Sequence, residues 1–591
     1  MILNALARHY DVLVAQEELE KPGWSHVKVS WGLELNEDGE LVQLIPLELE
    51  AQRGKKKAFV PQEMNLPTQV KRSHGVASNF LCDNSSYMLG IDDKGKPDRS
   101  RKCFEACRAL HQRILGDVDH PLARAIFAFF ERWKPEDAAE NAELKADMEG
   151  ILKGGNLVFL MGNDYAHEVP EIQQAWDRCY QEDEDAPMGR CLVTGELAPI
   201  AILHPNIKGV AGAQSSGASL VSFNAPAFES YGRESAQGLN APVSKRVAFA
   251  YGEALNYLIS HRGPDGWPTN MIRISDMSIV FWAEDGQAAY ADSFSCIFQD
   301  DGTAVRDDDV RDVMKRLTDG QTVCWKGSEL KPDNHFYILG ISPNAARLSV
   351  RFFVQDTFQN LMRNIARHQD RLEMVRPAYE KRKSLSVWGL LNETVNQSAR
   401  EKSPSQQLSG ELVRAVLNDL PYPASLLEQV EMRIRAEQRV TWGRASIIKA
   451  VLLKNVIKDT EGHPLEEVAK MVLNEDTTYQ PYVLGRLFSV LEGLQQAANP
   501  NINATIRDRY FNSACATPAV AFPTLIRLAQ AHLKKLTVGN RIYFDKQITE
   551  LESRMQNEYP RRLNLYDQGI FQIGYYHQTQ KRFTKEDENH E

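Results

Sequence analysis

The sequence lacks the features that mark membrane and secreted proteins. It contains no apolar run long enough to span a bilayer, and its first residues show neither the apolar core nor the small-residue cleavage site of a signal peptide. Its 8 cysteines are scattered over 591 residues, which is typical of reduced thiols rather than of a disulfide framework. We therefore expect a cytoplasmic protein with no membrane partner.

An excess of positive charge is also missing, because the formal net charge is −10 at pH 7. Any contact with DNA or RNA must therefore come from local basic patches. The apolar content of 43% and the charged content of 25% are ordinary for a globular protein. The length predicts several domains or one large composite body.

Two catalytic motifs near residue 212 are incomplete. The stretch GAQSSGAS, residues 212–219, approaches the phosphate-binding pattern GxxxxGK[ST], but Ala218 stands where the lysine is required. A nucleophile elbow needs GxSxG, and here the first glycine lies one place too early for Ser215. We therefore predict no catalytic residues and no cofactor. The enzymatic alternative is a nucleotide-binding phosphotransferase that uses the Gly212 loop.

A metal site is the second chemistry that the sequence suggests only in part. Cys103, Cys107 and His111 share one face of a predicted helix. Zinc would need a fourth ligand, and none is adjacent. Since free cysteine is often a small buried apolar residue, we predict no metal.

The stretch from Asn206 to Arg246 is rich in Gly, Ser, Ala, Asn and Gln. Its glycines at 209, 212 and 217 allow positive φ and close approach of the backbone to a partner, and successive amides in such a turn can bind anions. A long surface loop without a ligand is the alternative reading. We predict nucleic-acid contacts here from Lys208, Gln214, Ser215, Ser216, Lys245 and Arg246.

A basic segment covers residues 52–72 and carries a net charge of +5 inside this acidic protein. Pro61 and Pro67 predict an irregular arm. A solvated loop is the alternative to an arm that contacts DNA or RNA phosphates. The residues that we expect to bind nucleic acid are Lys55, Lys56, Lys57, Lys71 and Arg72 in this segment and the short polar residues Asn79 and Asn84 just after it.

Hydrophobic periodicity predicts an α+β fold with mixed α/β N-terminal and central regions and a C-terminal all-α bundle. We expect a helix at 1–16, a hairpin about Gly39, a strand at MSIVFWA, and two paired strands joined by Pro343 and Asn344. After Lys381 strand signals vanish until about Phe571. The predicted regions are 1–190, 191–380 and 381–591.

The C-terminal bundle is less acidic than the rest of the chain, since residues 471–591 carry a net charge of +1. Arg507, Lys534 and Lys535 are predicted to contact nucleic acid there. A solvated helical face is the alternative, and a shallow track for a displaced single strand is the functional reading.

Several stretches together resemble one protein family. The most specific are SNFLCDNSSYMLG at 78–90, RCLVTGELAPIAILHPNIKGVAGAQSSGAS at 190–219, LGISPNAARLSVRFF at 339–353, LGRLFSVLEGLQQAANPNINATIRDRYFNSACATP at 484–518 and GIFQIGYYHQ at 569–578. The chain is similar, nearly from end to end, to the large subunit of the type I-C CRISPR Cascade, a crRNA-guided surveillance complex.

The resemblance implies a role in antiviral defence. Such a subunit lies beside the subunit that holds the crRNA 5′ handle, recognises the protospacer-adjacent motif in duplex DNA, helps to open the duplex into an R-loop and helps to recruit a separate helicase–nuclease. It is not itself a nuclease. The implied partners are crRNA, target double-stranded DNA with its displaced strand, and the backbone, handle-binding and small subunits of Cascade. RNA pairing reads the target in such systems, so the protein needs only a short duplex contact.

The resemblance further implies that the C-terminal bundle is similar to the Cascade small subunit, which in this family can arise by internal translation. Met471 precedes a predicted helix, and Asn474 is available near its start as a cap. An ordinary buried methionine is the alternative. We therefore predict an internal start at or near Met471.

Overall fold

The computed structural model describes residues 2–53, 56–70, 75–93, 95–181, 187–223, 225–229, 236–264, 266–299, 307–400, 403–556 and 558–587. The chain divides into two compact units. The first unit comprises Leu6–Pro205 and Ser222–Ala254, and the second comprises Met1–Ala5, Asn206–Val221 and Leu255–Glu591. The predicted boundaries near residues 190 and 380 stay a prediction.

The α-helices and β-strands of the described residues are numbered in chain order. The helices are α1 (Ile2–Ala15), α2 (Ser85–Met88), α3 (Pro97–Leu115), α4 (Pro121–Arg132), α5 (Ala142–Lys145), α6 (Met148–Leu152), α7 (Pro170–Gln181), α8 (Lys245–Ser260), α9 (Ala288–Gln299), α10 (Asp307–Thr318), α11 (Phe358–Leu372), α12 (Val387–Glu393), α13 (Gln406–Leu417), α14 (Ala424–Glu437), α15 (Trp442–Val451), α16 (Gln480–Ala498), α17 (Ile506–Ala516), α18 (Pro518–Leu533), α19 (Val538–Ser553) and α20 (Leu565–Asp587). The strands are β1 (Trp24–Leu35), β2 (Leu41–Pro46), β3 (Glu48–Arg53), β4 (Lys56–Pro67), β5 (Cys82–Asp83), β6 (Asn156–Met161), β7 (Asp164–Tyr165), β8 (Met188–Arg190), β9 (Leu197–Pro199), β10 (Asn206–Ile207), β11 (Ala218–Ser219), β12 (Met271–Ile274), β13 (Met277–Ala283), β14 (Val323–Trp325), β15 (Ser328–Leu330), β16 (His335–Asn344) and β17 (Arg347–Thr357).

The first unit is built on a seven-stranded sheet with the central order β3-β4-β1-β6-β5. Strands β1 and β6 are parallel, whereas β2 and β4 pair with β1 in the antiparallel sense. Helices α3 and α4 pack on this sheet through a core that includes Phe104, Phe129, Phe130 and Phe159. Strand β6 lies inside the sheet, since it pairs with β1 on one edge and with β5 on the other.

The second unit contains a six-stranded sheet with the order β10-β11-β17-β16-β13-β12. All seven residues of β13 are buried, as expected for a continuous apolar run that is paired on both edges. Helix α9 covers one side of this sheet, where Phe294 packs against Phe281 and Phe336. The strand predicted at MSIVFWA is thus confirmed.

The C-terminal part of the second unit is helical, and the predicted α+β fold class is confirmed. Helix α16 is buried on every side from Pro481 to Leu494, which is typical of a helix at the centre of a bundle. It packs on α20 where Gly485 and Gly574 leave room for the facing backbone. An alanine Cβ at Gly485 would overlap the carbonyl oxygen of Phe571, so the two helices approach closer than side chains would allow.

The N-terminal helix and the first hairpin are confirmed. Helix α1 covers Ile2–Ala15, and β1 pairs with β2 across a turn in which Gly39 has a φ of +79°. A Cβ at Gly39 would also collide with α4, since it would lie 2.6 Å from the backbone nitrogen of Phe129. This glycine therefore serves both the turn and the packing.

The predicted irregular arm at residues 52–72 is wrong over its described part, because β4 runs from Lys56 to Pro67. Residues up to Pro61 pair with β3, and residues from Gln62 onward pair with β1. Pro61 lies where the strand changes partners, and Pro67 ends it. The missing amide of each proline is thus tolerated at the end of a ladder.

Three smaller predictions also need correction. The turn between β16 and β17 lies at Ala345 and Ala346 rather than at Pro343 and Asn344, because those two residues continue the ladder to Arg347. Residue 571 lies inside α20, so no strand returns there among the described residues. Asn474 does not cap α16, which begins at Gln480; its side chain accepts a hydrogen bond from the amide of Asp476.

Membrane-spanning helices are not found in the described ranges, since none of their helices combines the necessary length with the necessary apolar character.

Substitution of Gly485 by alanine tests the close packing of α16 on α20. The added Cβ would force the helices apart, and overpacking of this kind costs roughly 1–3 kcal/mol. Gly539 in α19 is the matched control, because a Cβ there meets no atom within 4 Å. We expect Gly485→Ala to lower the midpoint of thermal unfolding and Gly539→Ala to leave it unchanged or to raise it slightly. Equal midpoints for the two variants would contradict the proposed packing.

Candidate nucleic-acid interface

The Gly/Ser loop, residues 208–217, connects two short strands of the second unit. Strands β10 and β11 pair with each other, and Ser219 of β11 pairs with Arg347 of β17. The amide of Lys208 donates a hydrogen bond of 2.8 Å to the side chain of Asn256. The loop is therefore held at both ends by the six-stranded sheet and by α8.

A tight turn at the tip of this loop displays the predicted polar residues. The amide of Gly217 donates to the carbonyl of Gln214 at 2.9 Å, which places Ser215 and Ser216 at the centre of the turn. The side chains of Gln214, Ser215 and Ser216 are exposed and form no hydrogen bond with the described part of the chain. Their donors and acceptors are free for a ligand.

The glycines of the loop adopt the positive φ predicted for them. Gly209, Gly212 and Gly217 have φ values of +77°, +77° and +92°, which other residues adopt only with strain. Gly217 also permits close approach of the strands, since a Cβ there would lie 2.9 Å from the carbonyl oxygen of Ile207. The backbone conformation at the tip is thus determined by glycine.

The phosphotransferase alternative is not supported. A phosphate-binding loop of that class joins a strand to the start of a helix, whose amides help to hold the phosphates. The Gly/Ser loop instead joins strand β10 to strand β11. Ala218, which replaces the required lysine, is buried in β11.

Two predicted residues of the first unit serve the protein itself. Asn79 is only 4% exposed; its Oδ1 atom accepts from the amide of Val70 at 2.8 Å, and its Nδ2 atom donates to Gln69. Asn84 caps α2 by accepting from the amide of Ser86. Both side chains stabilise local backbone, a function that the sequence pattern does not separate from ligand binding.

A cleft of about 1390 Å³ lies within the first unit and brings Asn79 together with Lys245 and Arg246. We call it the basic cleft. Aromatic side chains form one wall, where Phe80 stacks on Trp176 with ring centroids 5.4 Å apart. Tyr180, beside Trp176 in the same helix, is 39% exposed.

Cations outnumber carboxylates on the lining of this cleft. The cations are Lys21, Arg113, Arg178, Lys245 and Arg246, and the carboxylates are Asp117, Asp177 and Glu196. Several of these charged groups are engaged within the protein; for example, Arg246 forms an ion pair of 2.8 Å with Asp11, and Asp177 accepts from the indole of Trp24. A cationic cleft with an aromatic wall suits a phosphate-bearing ligand with exposed bases.

Sequence reasoning missed Lys21, Arg113 and Arg178. These three residues are far apart along the chain and belong to different helices and a loop, so no local run of charge indicates them. The alternation of arginine with aromatic residues in α7 was the available signal.

The predicted nucleic-acid-binding cations of the basic arm fall largely outside the described residues. Lys55, Lys71 and Arg72 lie outside the described residues. Lys56 and Lys57 belong to β4, where their backbones pair with β3, but their side chains also lie outside the described part.

The three predicted residues of the bundle differ in exposure. Lys534 and Lys535 are exposed just after α18, and Lys535 donates to the side chain of Asn499 at 3.0 Å. Arg507 is half-buried with its Nε atom 3.8 Å from Glu492. Arg507 is therefore directed toward a buried carboxylate, while the two lysines face solvent.

His111, considered above as a metal ligand, is a buried structural residue. Its Nδ1 atom donates to the carbonyl of Cys107 at 2.8 Å, and its Nε2 atom accepts from the amide of Leu81 at 2.9 Å. Leu81 has a φ of +59°, which is unusual for a leucine, so the histidine stabilises a strained turn. Within the described ranges no cluster of three or more His, Cys, Asp or Glu residues could hold a metal ion.

The chain matches a known protein family. The family described as CRISPR-associated protein (Cas_Csd1) matches residues 6–583, which is nearly the whole chain. No curated protein matches the sequence.

The buried side chain of His111 predicts that acid destabilises the first unit. Burial lowers the pKa of His111 to about 4, compared with 6.5 for the ordinary side chain. Between these values the unfolded chain binds more protons than the folded chain, so stability falls as the pH decreases. We expect His111→Gln to unfold at a lower temperature than the wild type at about pH 7.5. The difference between the two unfolding midpoints should be smaller at about pH 5.

His26→Gln is the control for this measurement, because His26 belongs to the same unit and its side chain is 59% exposed. Its midpoint should follow that of the wild type at both pH values. A deficit of His111→Gln that stays constant with pH would contradict the assignment.

Proposed function

The chain belongs to the Cas_Csd1 family of CRISPR-associated proteins, which form the large subunit of Cascade, and from this premise we propose that it recognises the protospacer-adjacent motif in duplex DNA. In this proposal it supports R-loop formation and helps to recruit the helicase–nuclease of a type I-C complex in the cytoplasm. It binds nucleic acid without catalysing a reaction.

One observation carries the motif-reading part of the proposal: the turn at the tip of the Gly/Ser loop. A glutamine side chain can form two hydrogen bonds with adenine in the major groove, and serine hydroxyls can donate or accept at base edges. Gln214, Ser215 and Ser216 hold these groups exposed and unpaired within the described structure. Glycine on both sides of the tip, at 212 and 217, adds no side chain that would obstruct entry into a groove.

The basic cleft supports a second contact, with the nucleic-acid backbone. Arg113 and Arg178 are exposed on its lining and suit phosphate oxygens. Contacts of this kind position a protein on nucleic acid without reading sequence. We propose crRNA or target DNA as the occupant and the backbone, handle-binding and small subunits of Cascade as protein partners.

Changing Gln214 to alanine in the assembled complex tests the motif-reading turn. One good base contact is worth about 1–3 kcal/mol, so discrimination between motif-bearing and motif-less duplex should fall roughly 5- to 150-fold. Affinity for motif-less duplex should change little. The measurement is a gel shift with the two duplexes at one fixed salt concentration.

The control is Gln287→Ala, since Gln287 is another exposed glutamine of the second unit. It should leave discrimination unchanged. If Gln214→Ala weakens both duplexes equally, the turn contacts phosphate and does not read bases.

We also propose that the segment after Met471 is made separately as a small subunit. Met471 is 47% exposed and precedes α16, which packs on α17, α18, α19 and α20 within the same segment. Because the side chain is exposed, replacing it should not disturb the full-length fold.

Replacing the Met471 codon by a leucine codon should therefore remove a shorter product from the purified complex and keep the full-length chain. Intact-mass analysis of the complex measures both species. Met432→Leu is the control, as this methionine is 56% exposed within α14. A complete, active wild-type complex that contains only full-length protein would contradict the proposal.

A further inference from the structure

Helix α19 presents apolar side chains on two sides. Phe544, Ile548 and Leu551 are buried in the bundle. Ile542 and Tyr543 are 60% and 46% exposed, so they do not belong to that core. A helix with a second, uncovered apolar side has surface available for a ligand.

These exposed residues border a pocket of about 280 Å³ formed by α16, α19, α20 and the residues before α16. We call it the α19 pocket. Its volume is close to the lower end of the roughly 300–1000 Å³ typical of small-molecule sites. It can therefore accept one small ligand or one unit of a longer ligand.

Buried polar side chains form the floor of the α19 pocket. Arg486, Ser489 and Gln578 line it and are 3%, 1% and 8% exposed. The Nε atom of Arg486 donates to Gln578 at 3.0 Å, and the hydroxyl of Ser489 lies 2.8 Å from that of Thr579. The floor is thus polar and held in place by its own hydrogen bonds.

The rim contains polar groups that have no partner in the described part of the chain. Lys546, Gln547 and the hydroxyl of Tyr543 form no hydrogen bond or ion pair with any described residue. The other cations are engaged, since Lys581 pairs with Glu475 and Arg582 donates to Gln496. Among the described residues that line the pocket, Lys546 is therefore the cation without a partner.

Charge on the lining favours an anionic ligand. The cations are Arg486, Lys546, Lys581 and Arg582, against the carboxylates Glu475 and Glu550. An aromatic ring, a free amide and a free ammonium group on one helix suit a ligand with a flat ring, hydrogen-bonding edges and a negative group. A nucleotide unites these properties, because its base can stack on an aromatic side chain and its phosphate carries the charge.

We propose that the α19 pocket binds one nucleotide, with the base against Tyr543, a base edge at Gln547 and the phosphate at Lys546. The site is separate from the Gly/Ser loop and does not depend on motif recognition. The nucleotide has two possible sources: one residue of a single strand, or a free mononucleotide.

The test uses the purified full-length chain and two probes. The first is a fluorescein-labelled oligothymidine of about ten residues, whose binding is measured by fluorescence anisotropy. The second is thymidine monophosphate or adenosine monophosphate, whose binding is measured by equilibrium dialysis. The variants are Tyr543→Ala and Lys546→Ala, and the controls are Tyr566→Ala, an aromatic residue 43% exposed in α20, and Lys470→Ala, an exposed lysine outside the pocket.

We expect Tyr543→Ala to lower the affinity for the affected probe about tenfold, as loss of one stacked base predicts. Lys546→Ala should lower the slope of log affinity against log salt concentration for oligothymidine by about one, as loss of one phosphate contact predicts. The controls should match the wild type. Loss confined to the oligothymidine identifies a strand as the source, and loss confined to the monophosphates identifies a free nucleotide.

The proposal is overturned if the wild type binds neither probe. It is also overturned if Tyr543→Ala and Lys546→Ala bind both probes as tightly as the wild type does. If these variants instead release another subunit from the assembled complex, the surface contacts protein and the nucleotide assignment is wrong. Because both side chains lie at the surface, an unchanged unfolding midpoint separates these outcomes from misfolding. None of the readouts involves motif-bearing duplex, so failure here is distinguishable from failure of the proposed function.

Discussion

The close contact between α16 and α20 is the constraint on which the C-terminal bundle depends. Glycine at 485 and 574 allows the two backbones to touch. Buried polar pairs then fix how the helices align: Tyr482 with His577, Arg486 with Gln578, and Glu492 with Tyr575. Because a buried polar group without its partner is costly, a shift of one helix along the other would break several of these pairs together.

The same contact decides which charges of the bundle reach its surface. Arg486 and Glu492 are 3% and 2% exposed, and Arg507 is drawn toward Glu492. The number of basic residues in this region therefore overstates the number of cations available to a ligand. Other cations of the region remain exposed, among them Lys534, Lys535 and Lys546, and these are the groups that a ligand can reach.

Elements with a strong local signal could be predicted from the sequence. The hairpin at Gly39 and the buried run of β13 follow directly from alternation and apolar content. The helix around Phe571 could not be predicted, because the glycines of this region argue against a helix in the sequence. Gly574 is in fact the residue that lets this helix pack closely on its neighbour. Of the candidate site, the turn at Gln214 was visible in the sequence; the basic cleft was not, since Arg113 and Arg178 meet only through tertiary packing.

An acidic protein can still contact nucleic acid if few groups suffice and each is held rigidly. RNA pairing supplies target sequence in a crRNA-guided complex, so a large subunit has only a short motif to distinguish. A turn fixed by Gly217 and by the β10–β11 pair can present three polar side chains with little loss of conformational entropy on binding. The negative net charge then limits nonspecific association with other duplexes, because long-range attraction to phosphate is weak. Local geometry, rather than overall charge, is what makes such recognition selective.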